Sequence, residues 1–323
     1  MTIIEDADEL FLRSAQEALR STSGDGALEA LGWRDLLESV DEVPDARLGV
    51  FAFFQAQGRE LGSSSALGEL MAHPYVSALG EERALTATVE RRSAQRGSRC
   101  VVVGEPGGGV LIDRPGHGIA LAELDALELR PIGLSDGLVL HEVESDLTSL
   151  PMSFNEAQAV PLRSRSMQLG RLALAYEMLG AAEVALAAAV QYARDRMQFG
   201  QPIGHFQAVR HLLASARVDA AAIASLARQS ADQYPALPSM RDAILKALAG
   251  RNGKRICENS LQVLGAIGFT TEHEHHRFHS RVLVLDSLLG SSSTLTHQIA
   301  VTLRASAGTV PDLYPSAGAL RGN

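Results

Sequence analysis

The sequence has few cysteines, few lysines and few aromatic residues. Cys100 and Cys257 are the only cysteines among its 323 residues, which is too few for a disulfide framework and indicates a reducing compartment. Lys246 and Lys254 are the only lysines, so arginine carries nearly all of the positive charge. Because the formal net charge is −9, we expect no nucleic acid among the partners.

Long uncharged hydrophobic runs are also missing. The most apolar stretch, residues 178–193, contains Glu183 and Gln191, so we expect no membrane span. Residues 1–13 are acidic and lack the basic and apolar regions of a secretory signal peptide. The composition, 46% hydrophobic and 21% charged, is typical of a globular protein, and we expect a cytoplasmic location.

The spacing of apolar residues changes twice along the chain. Residues 1–82 have helical spacing, residues 83–155 have short strand-like runs between turn residues, and residues 156–308 again have helical spacing. We therefore predict a mainly α fold: an N-terminal helical domain, a reduced β domain with a small antiparallel sheet, and a C-terminal four-helix domain over these ranges. Residues 309–323, rich in Gly, Pro and Ser, are predicted to form a flexible tail.

A histidine-rich segment, Glu272–His279, has two interpretations. In a helix, His275 and His279 would lie one turn apart, a spacing that suits a metal ion. The simpler interpretation is a solvated turn, and we predict that no metal is bound.

The most informative motif covers residues 192–207, Tyr-Ala-Arg-Asp-Arg-Met-Gln-Phe-Gly-Gln-Pro-Ile-Gly-His-Phe-Gln. Arg194 and Arg196 end a predicted helix, where positive charge interacts favourably with the helix dipole. One interpretation is a capped connection between two helices. The other is an exposed corner at which Arg196 binds a pyrophosphate and Phe199 lies against a purine ring.

This motif resembles the Arg-x-x-Phe-Gly turn of the flavin-dependent acyl-CoA dehydrogenases, in which a Phe-Gln or His-Gln pair follows. Residues 261–270, Leu-Gln-Val-Leu-Gly-Ala-Ile-Gly-Phe-Thr, are similar to the Gln-x-x-Gly-Gly-x-Gly-Phe segment of that family, with Ala266 replacing its second glycine. The resemblance covers residues 160–305 well. Over residues 1–158 it extends mainly to the order of helical and β regions.

The resemblance implies that FAD binds between subunits. The β domain of one subunit would hold the isoalloxazine, and the helical corner of its neighbour would hold the adenosine and the pyrophosphate. Arginine can grip phosphate with two hydrogen bonds, glycine allows close backbone approach, and serines before the last helix can cap it or bind the FAD phosphate. The implied cofactor-binding residues are Arg196, Gln198, Phe199, Ile203, Phe206, Gln207, Gln262, Gly265, Ser291 and Ser293.

The reaction of this family requires a carboxylate that removes the α-proton of an acyl thioester while the β-hydrogen leaves as hydride to the flavin. Most members carry it in a Tyr-Glu-Gly-Thr motif before the last helix, where this chain has Leu289. A minority carry it one residue before an arginine that matches Arg171, where this chain has Gly170. We therefore expect no catalytic base, with Glu177 as a relocated alternative. Arg171 would contact the thioester or a CoA phosphate of the substrate, or pair with a carboxylate across the subunit interface.

The β region departs from the family as well. The strand-like residues 84–90 do not lead into the flavin-binding Thr-Glu-Pro-x-x-Gly-Ser segment. A similar stretch, Glu105-Pro-Gly-Gly-Gly, follows an apolar run and is predicted to be a hairpin turn.

These losses resemble the heteromeric acyl-CoA dehydrogenases of actinobacteria, α2β2 assemblies in which only one chain of each pair carries the base. The resemblance implies a base-less subunit that completes the FAD site of a homologous full-length partner. The substrate would be a bulky acyl-CoA such as a CoA thioester of a steroid side chain. The alternatives are a self-sufficient homo-oligomeric flavoenzyme that uses Glu177, and a non-redox scaffold of the same fold.

Overall fold

The computed structural model describes residues 7–22, 24–80, 84–93 and 97–306. It confirms a mainly α-helical fold with a small β region between two helical regions. One large apolar core runs through all three regions, so the exact domain limits stay predictions. The predicted tail, residues 309–323, lies outside the described residues.

The described residues of the first region form five helices. Trp33 is buried and its ring contacts those of Phe53 and Phe54, as expected for a core tryptophan. The Gly-Ser-Ser-Ser stretch, residues 62–65, lies between the fourth and fifth helices. These helices are α1 Ala7–Ser21, α2 Asp25–Ala30, α3 Trp33–Glu38, α4 Pro44–Glu60 and α5 Ala66–Leu79.

The β region forms two four-stranded sheets, so the prediction of one small antiparallel sheet is wrong. The first sheet has the order β1-β4-β5-β8, with β1 and β4 parallel, and the second has the order β2-β3-β7-β6 and is antiparallel. These strands are β1 Leu85–Ala87, β2 Val89–Ser93, β3 Gly97–Val103, β4 Gly109–Arg114, β5 Gly118–Glu123, β6 Leu129–Ile132, β7 Leu140–Val143 and β8 Met152–Asn155.

The Glu105-Pro-Gly-Gly-Gly stretch is not a hairpin turn. It links β3 in one sheet to β4 in the other, and these two strands do not pair with each other. Gly104, just before it, has φ +77°, and a Cβ there would lie 2.3 Å from the carbonyl oxygen of Ser64. The prediction failed because turn residues indicate that the chain bends but not which strands then pair.

The described residues of the second helical region form five helices, one more than the four that the sequence analysis predicts, and the additional helix is α9. The prediction of a solvated turn is wrong from His275 onwards, because Phe278, Val282 and Leu285 form a buried helical stripe behind the histidines. The helices are α6 Glu156–Asp195, α7 Gln207–Gln233, α8 Arg241–Leu264, α9 His275–Ser287 and α10 Ser292–Ala305.

Helix α6 is the central element of the molecule. It begins at a capping box, in which Asn155 accepts from the Gln158 amide and the Gln158 side chain accepts from the Asn155 amide. In the described part of the chain, only α6 is long and apolar enough to cross a membrane. Its most apolar window is 72% buried inside the protein, as expected for a core helix.

Candidate functional site

The arginine motif forms an exposed corner between α6 and α7. Two short strands, β9 Met197–Gln198 and β10 Gln201–Pro202, pair across a tight turn. Phe199 and Gly200 at the tip have left-handed conformations, with φ of +51° and +80°. The Phe199 side chain is 91% exposed, and its ring meets that of Phe206 edge-on at 6.1 Å. The turn therefore presents an aromatic ring to the outside.

The glycine-containing segment lies at the same end of the helical bundle. Gly265 ends α8 with φ +62°, and nothing lies within 4 Å of where its Cβ would be. A short 3-10 turn follows, in which Phe269 is 77% exposed. Val263 and Leu264 pack with Ile203 in one apolar cluster. This cluster brings together the two sequence motifs, residues 192–207 and 261–270. We call the exposed surface that they form the corner.

The side chains of the corner fit one half of a dinucleotide. Arg196 is exposed, and within the described ranges no carboxylate pairs with it. Gln198, Gln207 and Gln262 are also exposed and offer amide groups. A free guanidinium, amide donors and an exposed ring suit a pyrophosphate and a purine, so these residues fit the adenosine side of FAD.

The serines before α10 lie apart from the corner. The Ser291 hydroxyl accepts from the Thr294 amide at 3.2 Å, so Ser291 caps the helix. Ser293 is exposed, and its hydroxyl lies 3.1 Å from that of Ser291. Ser292 contacts Lys254, which is about 12 Å from Gln262 along α8. The structure thus shows the capping role and does not bring the serines and the two corner motifs together.

The two family positions for the catalytic base meet in space. A Cβ on Gly170 would lie 2.6 Å from Cδ1 of Leu289 and 2.6 Å from Sδ of Met71. Leu289 is 1% exposed, and its amide donates to the carbonyl of Glu90 at 2.9 Å. Side chains at the two positions would therefore meet at the same point of the molecule, and the apolar side chain of Leu289 fills this point.

Arg171 has partners within the chain. Its Nη1 donates to Oδ2 of Asp242 at 2.8 Å, and its Nε donates to the carbonyl of Leu289 at 3.2 Å. Of the two roles considered for Arg171, the ion pair is the one that the structure displays, although the carboxylate belongs to the same chain. Arg171 thereby fixes the segment that carries Leu289.

Glu177 lies in a buried ionic network. Its carboxylate accepts from Nη1 of Arg281 at 2.7 Å and from Gln57 at 3.1 Å, while Arg281 also donates to Asp136 at 2.7 Å. Burial raises the pKa of Glu177, and Arg281 opposes that rise. With 1% of its surface exposed, Glu177 cannot reach a substrate, so the geometry gives no support to the relocated base.

A cavity of about 1050 Å³ lies between the two sheets, α5, α6 and Leu289. The sequence analysis missed it, because its walls come from all three regions of the chain. Asp113 lies in its wall; burial raises the pKa of this carboxyl, and a hydrogen bond and ion pair with Arg163 oppose the rise. The charged lining residues are Glu90, Asp113, Glu128, Glu142, Glu144, Arg99 and Arg163.

Acidic residues within the strands are a feature of the sequence that could have indicated the cavity. Asp113 and Glu142 are acidic residues in strands that also contain several buried apolar residues, which is unusual for residues that face a core. Pairing of the strands could not be derived from the sequence, so the convergence of these carboxylates could not be predicted.

Comparisons with known proteins show which family and which structures this chain is similar to. Residues 161–303 match the acyl-CoA dehydrogenase C-terminal domain. The acyl-CoA dehydrogenase FadE34 of Mycobacterium tuberculosis is 33% identical over 211 residues, which are 64% of this chain and 29% of that protein. The matched part thus spans less than a third of the length of this relative.

Solved structures share the fold. The Tcur3481-Tcur3483 steroid ACAD superimposes with a TM-score of 0.72 at 18% identity, over 94% of this chain and 99% of the other. The ChsE4-ChsE5 complex from Mycobacterium tuberculosis gives a TM-score of 0.68 at 19% identity, over 93% and 97%. Residues 161–303 are therefore similar to the acyl-CoA dehydrogenase C-terminal domain, and nearly the whole chain has the fold of these solved structures.

Proposed function

We propose that this chain is the base-less subunit of a flavin-dependent, heteromeric acyl-CoA dehydrogenase. It completes the FAD site of a homologous full-length partner in a cytoplasmic α2β2 assembly, and the partner carries the catalytic base. The observation that carries this proposal is that Leu289 and Gly170 lie close together at the two base positions and neither residue has a carboxylate.

The relatives support a partner subunit. Tcur3481-Tcur3483 and ChsE4-ChsE5 are each named as a pair of chains, and the first is described as a steroid ACAD. FadE34 is named as an acyl-CoA dehydrogenase. We extend these properties to this chain as part of the proposal, with a CoA thioester of a steroid side chain as the substrate class.

Each residue of the corner has a role in this proposal. When bound, FAD supplies the hydride acceptor for α,β-dehydrogenation of the acyl-CoA. Arg196 binds the pyrophosphate through its guanidinium, and Phe199 lies against the purine. Gln198, Gln207 and Gln262 donate amide hydrogen bonds. Ile203 and Phe206 support the turn from below, and Gly265 allows close backbone approach. Ser291 and Ser293 lie outside the corner and provide hydroxyls before α10.

Co-expression with a homologous full-length chain tests this proposal. We expect the purified complex to be yellow and the chain alone to be colourless in its visible absorbance spectrum. Arg196→Ala in this chain should lower the flavin content of the complex about tenfold, because one charge-assisted phosphate contact is lost. Arg34→Ala, at an exposed arginine on α3, is the matched control and should leave flavin content unchanged.

Two outcomes would overturn the proposal. A stable but colourless complex would favour the non-redox scaffold. Reduction of flavin by an acyl-CoA in the purified single chain would favour the self-sufficient enzyme.

A further inference from the structure

We propose that the hairpin of β2 and β3 binds a small oxyanion, a carboxylate or a phosphate group, through Arg91 and Arg99. Residues 91–99 contain four arginines and no carboxylate, although the chain as a whole has a net charge of −9. The hairpin is therefore a basic segment in an acidic protein. The proposal goes beyond the proposed function, which concerns the corner between α6 and α7.

Arg91 and Arg99 face each other across the two strands. They are directly opposed in the antiparallel pairing of β2 with β3, so their side chains lie on the same face of the sheet. Two like charges in such a pair destabilise a sheet, and an anion between them removes that effect. The preceding pair, Glu90 and Cys100, points to the other face, so the Glu90 carboxylate does not lie between the two arginines.

Arg91 has a buried donor without an acceptor. Its Nε is buried and has no hydrogen-bond partner, and within the described ranges no carboxylate pairs with its guanidinium. On the side of β2 away from Arg99, the backbone of Arg91 is bridged to that of Leu288, which is fully buried. A buried guanidinium donor without a partner is costly, so an acceptor that binds beside it stabilises the protein.

Arg99 is held only weakly by the chain. Its side chain is 53% exposed, and its Nε lies 3.4 Å from Oε1 of Glu142, which is long for a charge-assisted hydrogen bond. Arg130 pairs with the same carboxylate and also with Glu144, so Glu142 has a cation without Arg99. The exposed guanidinium of Arg99 is therefore available to share an anion with Arg91.

The chemistry of the pair selects an oxyanion. A guanidinium presents a fork of N–H donors, which matches two oxygens of a carboxylate or of a phosphate group. An apolar or cationic ligand would leave the two opposed charges and the buried Nε of Arg91 as they are. Because Arg99 is exposed and Arg91 is half-buried, the anion reaches the pair from the Arg99 side.

Thermal unfolding of the full chain tests the proposal. The chain is titrated with inorganic phosphate or with acetate at constant ionic strength, so that general screening does not change. We expect at least one of the two anions to raise Tm in a saturable way, by about 2–4 °C. Saturation with phosphate alone would identify a phosphate group, and saturation with acetate a carboxylate. No saturable rise with either anion would overturn the proposal.

A background variant separates this site from the corner. Arg196→Ala removes the arginine that the proposed function assigns to a phosphate, and the rise in Tm should persist in this variant. Addition of Arg91→Gln or Arg99→Gln to it should lower the affinity for the anion about tenfold, because one guanidinium is lost. Addition of Arg34→Gln, at an exposed arginine on α3, is the matched control and should leave the affinity unchanged.

Stability without the anion gives a readout that a purely structural role would move in the opposite direction. Arg91→Gln removes one of two opposed like charges, so we expect Tm in chloride buffer to rise by about 1–2 °C. Arg91→Lys keeps the charge and should not raise Tm, and without the guanidinium fork it should bind the anion more weakly than the native chain.

A lower Tm of Arg91→Gln, with unchanged anion affinity in both glutamine variants, would show that Arg91 only supports the sheet and would overturn the proposal. Arg99→Gln changes an exposed side chain, so the affinity test remains valid if Arg91→Gln does not fold. Flavin content and the partner subunit are not involved in these measurements. A negative result would therefore leave the proposed function untouched.

Discussion

Leu289 and Gly170 lie close together in the structure, although Gly170 belongs to α6 and Leu289 to the segment before α10. The base positions that they match are alternatives along the sequence, and the short distance between them shows that side chains at the two positions would meet at the same place. The residue types were predictable from the motifs. Their proximity was not, and neither was the carboxylate that pairs with Arg171, because Asp242 lies on a different helix.

Arg281 joins the three regions of the chain, and its loss should be costly. It is fully buried between Glu177 of α6 and Asp136 of the β region. Arg281→Met would leave both carboxylates buried without a cation, so we expect the free energy of unfolding to fall by about 3–5 kcal/mol in urea denaturation. Arg34→Met on the surface should change it by less than about 0.5 kcal/mol.

A second variant in this network separates a structural from a catalytic role. Glu177→Gln should cost about 1–3 kcal/mol of stability, because Arg281 loses one charged partner. The dehydrogenase rate of the co-expressed complex, normalised to its flavin content, should stay the same. A folded, flavin-loaded complex without activity would instead restore Glu177 as the base.

Helix α9 shows where reading helices from periodicity fails. Its first turn consists of polar residues from the histidine-rich segment, which hides the apolar stripe that begins at Phe278. By contrast, α6 was predictable because an N-cap and a long run of small apolar residues agree over many turns. Local sequence is sufficient where several signals coincide, and insufficient where composition and periodicity conflict.

The first turn of α9 should make stability depend on pH. Burial, together with the charges of His279, His273 and His276, lowers the pKa of His275 from 6.5 to about 4. The unfolded chain therefore binds more protons between these values, so the stability from neutral His275 is complete above pH 6.5 and is lost as the pH falls towards 4. We expect Tm to fall more steeply over this window in the native protein than in His275→Gln. The same substitution at the exposed His297 should leave the slope unchanged.

The corner and the cavity differ in how far the sequence predicts them. The residues of the corner lie in two short motifs, each held by a local turn, so their exposure at one end of the bundle follows once α6, α7 and α8 pack together. The cavity depends on the crossing from β3 to β4 between two sheets, on the parallel pairing of β1 with β4, and on the position of α5. These are long-range pairings, which local residue preferences do not determine.

Replacement of Leu289 by glutamate tests whether this chain lacks only the base or also the flavin site. Leu289→Glu restores a carboxylate at the family position, beside Gly170 and the cavity. If the β region no longer holds a flavin, the variant chain alone should stay colourless and inactive, and the rate of the complex should change by less than about twofold. We expect a loss of about 1–3 kcal/mol in stability, because a carboxyl group replaces an apolar side chain that is 1% exposed. Leu289→Met controls for the change in packing.

Acyl-CoA-dependent flavin reduction by the Leu289→Glu chain without its partner would contradict the division of labour between two subunits, since it would require a complete flavin site within copies of this chain.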